Sequence, residues 1–233
     1  MTTNRRGWFI VFEGIDGAGT TTQAALLKQR LESIGRVALV TCEPTNDGPI
    51  GQLIRRALDT DNKECRFDGL EMAMLFAADR RHHIRTLIVP QVNSGVIVIS
   101  DRYQMSSFAY QSNETTGDWV DVLGRGVLKP DLTILVDVPV EVSTERRRKR
   151  GGKDERYDPT EFQTRVAENY RRLAREDPCT VVINGNRDMV VVAEDIWTAV
   201  TRLLYRRDMP RIKLLPLTEE DLRAMGDDDY ETD

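Results

Sequence analysis

The chain carries 233 residues, 40% of them apolar and 30% charged, enough for one large domain or two small ones around a substantial core. No apolar run approaches the ~18 residues of a membrane span, no N-terminal stretch has the pattern of a signal peptide, and Cys42, Cys65 and Cys179 are too scattered for a disulfide framework or zinc site. The net charge of -5 is concentrated in residues 218–233, which hold eight acids and one base; the remaining 32 bases and 30 acids nearly cancel, so neither nucleic acid nor membrane is an expected partner, and the cytoplasm is the expected compartment.

The first element is the run at residues 8–12, short, aromatic and β-branched, which predicts a buried strand. Gly14, Gly17 and Gly19 follow, and then Ala24, Ala25, Leu26, Leu27 and Leu31 recur at helical spacing. Glycines between a strand and a helix make a turn whose N–H groups can point inward, and the helix start adds partial positive charge. Gly14, Ile15, Asp16, Gly17, Ala18, Gly19, Thr20, Thr21 and Thr22 are therefore expected to grip a polyphosphate. The spacing from Gly14 to Gly19 fits the Walker A pattern, save that Thr20 stands where the pattern has lysine.

Four more apolar runs, at 37–41, 96–99, 132–136 and 181–183, alternate with helical patterns. They predict an α/β fold: a five-stranded parallel sheet, its strands buried on both sides, with helices on both faces. Ligands gather at the carboxyl ends of such strands. Here those ends carry the glycine loop, Glu43-Pro44, Ser100-Asp101-Arg102-Tyr103 and Asp137. Carboxylates and an arginine beside a phosphate loop point to metal-assisted phosphate chemistry; a helix cap is the plainer role for Asp101.

Residues 70–88 read as a helix on which Phe76 and Arg80, four apart, share a face; Ser106 and Tyr110 repeat that spacing, with Gln111 beside them. A ring next to a guanidinium can stack on a nucleobase and bond its edge. Core packing with a surface ion pair is the alternative. His82 and His83 are adjacent, hence on different helix faces, and are expected in surface or capping roles. Residues 146–156 hold seven bases and two acids around Gly151-Gly152. A helix running into a basic, glycine-hinged loop fits a lid over polyphosphate; a solvated charged face and a nucleic-acid or targeting patch are the alternatives. Residues 1–205 are expected to form the domain, and 206–233 a mobile acidic extension with room for a short helix at 219–225.

Taken together, Phe12-Glu13-Gly14-Ile15-Asp16-Gly17-Ala18-Gly19, Glu43-Pro44, Phe76-Ala77-Ala78-Asp79-Arg80, Asp101-Arg102-Tyr103, Ala109-Tyr110-Gln111 and Pro130-Asp131-Leu132 resemble the thymidylate kinase family of P-loop nucleoside-monophosphate kinases. The resemblance spans residues 7–205 and implies transfer of the ATP γ-phosphoryl group to dTMP, with Mg²⁺ required, by a homodimer. It implies that Phe76 stacks on thymine and Arg80 bonds its edge. Arg102 holds the acceptor phosphate, Asp16 the sugar 3′-hydroxyl, and Tyr110 crowds the 2′ position, while Glu43, Ser106 and Gln111 help fix the nucleotide. Asp101 and Arg102 are expected at the reacting phosphates, and Thr21 and Asp101 at Mg²⁺, directly or through water.

Thr20 is the main departure from the family pattern. A charge-assisted hydrogen bond contributes about 1.5–3 kcal/mol, so its uncompensated loss costs roughly one to two orders of magnitude in rate. The lid bases Lys153 and Arg156 are expected to supply the missing charge. The alternative is a nucleotide-binding protein with weakened or lost catalysis; a third reading is a kinase for another small acceptor. Cys42, where arginine is usual, and Thr45-Asn46-Asp47, in place of a glycine pair, leave the local acceptor-phosphate contacts open.

Overall fold

The computed structural model describes residues 6–151, 156–157 and 160–205. Its layering follows from alternation within the strands. In β1 (Phe9–Glu13) every residue is buried, with Ile10 and Phe12 packed into one core and Phe9 and Val11 into another. β2 (Ala38–Cys42), β3 (Ile97–Asp101), β4 (Leu132–Asp137) and β5 (Thr180–Asn184) join it in a parallel sheet ordered β2-β3-β1-β4-β5. The helices are α1 (Thr20–Ser33), α2 (Pro49–Leu58), α3 (Gly69–His83), α4 (Val89–Asn93), α5 (Gln104–Gln111), α6 (Gly117–Leu123), α7 (Val140–Arg150), α8 (Thr160–Glu176) and α9 (Met189–Tyr205). Leu27, Val166 and Trp197, from α1, α8 and α9, pack with Ile10, Phe12 and Ile134 on one face. Ile88, Val92 and Tyr103 cover Phe9, Val11 and Val98 on the other. Each such buried side chain contributes about 1.5–3 kcal/mol.

The register sets the functional end of the sheet. Phe12 lies beside Asp101, and Asp101 beside Cys42, so the glycine loop, Glu43 and Asp101 emerge level with one another. Two expectations need correction. Burial on both sides holds for the central strands, but β2 and β5 are edges, and Val181 and Val182 are 36% and 50% exposed. The helix expected at 70–88 is not uniform. It starts at a capping box, in which the Glu71 N–H donates to Asp68 Oδ1 (2.8 Å) and the Asp68 N–H to Glu71 Oε2 (2.7 Å). After His83 it widens into a π-helical turn, Ile84–Ile88, where the Val89 N–H reaches back five residues to the Ile84 carbonyl. Pro90 follows, lacking an N–H and needing room for its ring, which a wider turn supplies.

Among the described residues no helix is long and apolar enough to cross a membrane. Lys153, the extension at 206–233 and its short helix at 219–225 lie outside the described residues.

Candidate active site

The loop after β1 closes as the glycines demand. Gly17 and Gly19 sit at φ 84° and 96°, the left-handed region that side chains disfavour, and the Ala18 N–H turns back to the Ile15 carbonyl (3.0 Å). A Cβ on Gly14 would fall 2.8 Å from the Val136 carbonyl oxygen. Thr20 opens α1 with its side chain buried, its methyl aimed at Gly14, so it closes the loop's underside and carries no charge outward.

Next to the loop, Thr21 Oγ1 donates to Asp101 Oδ2 (2.5 Å). Asp101 Oδ1 is buried and has no hydrogen-bond partner among the described residues. A buried carboxylate oxygen left open beside a hydroxyl suits a divalent cation. Among the described residues no cluster of three or more His, Cys, Asp or Glu side chains could hold a metal ion, so a cation at Asp101 would need further oxygens from water or a ligand. Arg102 follows at φ 70°, a strained position for arginine. The strain is held by backbone and side-chain bonds: the Arg102 N–H donates to the Phe12 carbonyl (2.8 Å) and Ser100 Oγ to the Arg102 carbonyl (2.7 Å). Its guanidinium then lies over Tyr110, 5.2 Å from the ring centre, and reaches Tyr170 Oη (3.3 Å).

Beneath this turn sits Glu13, fully buried. It accepts from the Tyr103 N–H (3.0 Å), from Ser106 Oγ (2.6 Å) and from Tyr170 Oη (3.0 Å). Burial pushes its carboxyl pKa up, and the bonds from Ser106 and Tyr170 and the charge of Arg102 pull it back only in part. Burial, and then the Glu13 charge, push the Tyr170 hydroxyl up as well, so Tyr170 stays a donor.

A cavity of about 470 Å³ opens at this end of the sheet. Its wall brings together Asp16, Thr21, Glu43, Phe76, Arg80, Asp101, Arg102, Ser106, Tyr110 and Gln111, all the residues expected to touch acceptor or metal. Arg80 is fixed on three sides: Nε donates to Glu43 Oε2 (2.8 Å), and Nη2 to Ser107 Oγ (3.0 Å) and the Tyr103 carbonyl (3.1 Å). The other Glu43 oxygen lies 3.1 Å from His83 Nδ1, whose Nε2 is 2.7 Å from Thr41 Oγ1. Glu43 therefore orients Arg80, with both oxygens already committed. His83 is corrected: it is 3% exposed and bridges β2 to α3, whereas His82 is at the surface as expected. Arg55 of α2 donates to the Pro44 carbonyl (2.6 Å) and lies 3.7 Å from Cys42 Sγ, bringing a guanidinium to the wall beside the cysteine.

The basic segment divides in two. On α7, Arg146 donates to the Ala18 carbonyl (3.3 Å) and the Gly185 carbonyl (3.0 Å). Arg147 Nε and Arg150 Nη2 approach the two Asp16 carboxylate oxygens at 3.9 and 3.6 Å. Arg156 lies elsewhere. Its Nε and Nη2 donate to Glu114 Oε1 (3.0 and 2.8 Å) and its Nη1 to the Phe67 carbonyl (2.5 Å), which commits all three nitrogens away from the glycine loop. Tyr157 beside it donates to Glu114 Oε2 (2.9 Å); burial, then the Glu114 charge, push its hydroxyl pKa up.

Against known families, the thymidylate kinase model matches residues 12–196. The chain belongs to the thymidylate kinase family. A probable thymidylate kinase of Thermococcus kodakarensis is 44% identical over 202 residues, covering 84% of this chain and 98% of the relative. The thymidylate kinase of Thermomicrobium roseum is 42% identical over 207 residues, 85% and 97% of the two chains. Among solved structures, the thymidylate kinase of Candida albicans superposes with a TM-score of 0.75 at 25% identity, covering 91% of this chain and 99% of that one. The sheet is thus that of a P-loop nucleoside-monophosphate kinase, and the chain is an enzyme of that class.

Sequence reasoning missed the places of three residues around this thymidylate kinase site: Glu13, His83 and Tyr170. Glu13 had a signal, since it ends β1 next to the loop. Tyr170, on α8, had none, because only packing brings that helix to β3, whereas Arg147 lay in the basic run at 146–156 that pattern marked without separating it from its neighbours.

Proposed function

We propose that this thymidylate kinase phosphorylates dTMP to dTDP with ATP and Mg²⁺, towards dTTP synthesis. The observation that carries the reading is one cavity whose wall holds a buried, three-way-anchored Arg80 and Phe76 together with Asp101, Arg102 and, from the loop and the start of α1, Asp16 and Thr21. That lining suits a pyrimidine base held by stacking on Phe76 and by the remaining Arg80 nitrogen, with its 5′-phosphate at Arg102. Tyr110 packs beside the sugar, and Ser106, Gln111 and Asp16 fix its position. In the reaction an acceptor phosphate oxygen attacks the γ-phosphorus, the bond to the β–γ bridging oxygen breaks, and ADP leaves with that electron pair. A phosphate nucleophile needs little deprotonation, so the protein's work is alignment and charge neutralisation. Mg²⁺ would be held by Thr21 and Asp101, directly or through water, and supplies charge neutralisation at the β- and γ-oxygens. A cytoplasmic homodimer belongs to this reading and is supported by family membership.

Thr20 favours one second reading, a nucleotide-binding protein with weakened catalysis. A single assay separates the two: ADP release with ATP, Mg²⁺ and each nucleoside monophosphate in turn. Turnover with dTMP above all other acceptors is expected. Nucleotide binding with no turnover of dTMP would leave only the second reading, and preference for another acceptor would replace dTMP.

A further inference from the structure

We propose that Glu13, at the end of β1, is the positioning residue that fixes Arg102 for the acceptor phosphate, acting through the hydroxyls of Ser106 and Tyr170. The inference rests on the kinase reading above and deepens its phosphate end. Two things must be fixed at Arg102 before a ligand arrives: a left-handed backbone and a long side chain with many rotamers. Glu13 bonds to the neighbours that settle both.

The backbone comes first. Glu13 Oε1 accepts from the Tyr103 N–H (3.0 Å) and the Ser106 N–H (3.2 Å). These are the N-cap and the third helical residue of α5, whose own N-cap side chain makes no capping bond. A carboxylate from β1 therefore caps α5 and complements the positive end of its dipole. It holds the residue after Arg102, while the Arg102 N–H is tied to Phe12, the residue before Glu13. The side chain comes second. Glu13 Oε2 lies 2.6 Å from Ser106 Oγ and 3.0 Å from Tyr170 Oη, and the two hydroxyls are 2.7 Å apart. Each hydroxyl has one proton, and a carboxylate oxygen at the corner of this triangle draws both protons inward. The lone pairs left outside receive Arg102 Nη1, at 3.4 Å from Ser106 Oγ and 3.3 Å from Tyr170 Oη. The Tyr110 ring supports the plane of the guanidinium, and the two hydroxyls fix its rotation. Among the described residues no hydrogen bond engages Arg102 Nε or Nη2, and Arg102 lines the cavity. That edge of the fork, with two parallel donors, suits a phosphate.

Glu13→Gln tests the relay with little change of shape. The amide oxygen stays on the two backbone N–H groups, which need an acceptor, so the amide N–H group faces Ser106 and Tyr170. There it donates to the hydroxyl lone pairs and competes with Arg102 for them. Calorimetric affinity for dTMP should fall by about tenfold, as for one weakened charge-assisted bond. Thymidine, which lacks the phosphate, should bind within about twofold of the wild type. In an Arg102→Met background Glu13→Gln should change dTMP binding by less than about twofold, because no guanidinium is left to orient; a merely structural role would cost the same in both backgrounds. Tyr170→Phe keeps the ring and removes one hydroxyl, so it reads the same relay should Glu13→Gln not fold. It should weaken dTMP by about threefold to tenfold and spare thymidine. Unchanged dTMP affinity, equal losses for dTMP and thymidine, or the same loss from Glu13→Gln with and without Arg102 would overturn the inference. A wild type that bound dTMP no more tightly than thymidine would overturn the placing of the phosphate at Arg102 as well. A wild type that bound dTMP without turning it over would sink only the kinase reading, and the binding comparison would still decide the role of Glu13.

Discussion

The acceptor side and the donor side of this site are built by opposite means. Around Arg80, Glu43 and His83 the polar side chains are about 97% covered, and the contacts between them run from 2.8 to 3.1 Å. At the glycine loop, Asp16 is 37% exposed and meets Arg147 and Arg150 at 3.9 and 3.6 Å. Buried charges must be paired and hydrogen-bonded before any ligand arrives, since an unpaired one is costly. A partly exposed carboxylate such as Asp16 can meet its cations at longer range, because water screens the charges. The pocket around Arg80 is therefore paired and hydrogen-bonded in advance, while the contacts to Asp16 at the loop are longer and more exposed.

Removing the centre of that buried pairing is the largest way to break this contrast. Arg80→Ala leaves the Glu43 carboxylate buried beside His83 alone and should cost about 3–5 kcal/mol of stability, read from urea unfolding, along with a raised KM for dTMP. A loss no greater than that of Arg147→Met, which removes a guanidinium beside Asp16, would show the two sides to be equally committed. At the seam between them, Asp101→Asn keeps the shape but removes the charge facing Thr21 and the open Oδ1. It should lower kcat by about two to three orders of magnitude and leave the unfolding midpoint nearly unchanged; a large stability loss with kcat intact would make Asp101 structural.

The smallest expected effect is on pH dependence and comes from Glu13. Its carboxyl is held above the ordinary 4.5 because burial favours the neutral form. The protonated group is thus bound more firmly in the folded chain than in the unfolded one. Its stabilising share is complete below 4.5 and fades as pH rises through the folded value. The stability of the wild type relative to Glu13→Gln should therefore fall across that interval and level off above it. A difference that grew with pH would reverse the assigned direction.

The local sequence was enough to specify the strand–loop–helix unit from Phe9 to Ser33, the family, and ten of the residues on the cavity wall, because those features depend on spacing within short segments. Pattern also fixed Phe76 and Arg80 on one helical face, four residues apart. It could not say that Arg80 would be clamped by Glu43 from another strand, or that His83 would be buried behind it, since residue type and periodicity do not encode which distant segments touch. Strand order, level strand ends and the seating of α7 against the loop were decided only by tertiary packing. The same holds for the two arginines at opposite ends of the basic run: Arg147 and Arg156 are alike in sequence, and the surroundings supplied by Asp16 in one case and Glu114 in the other gave them different places.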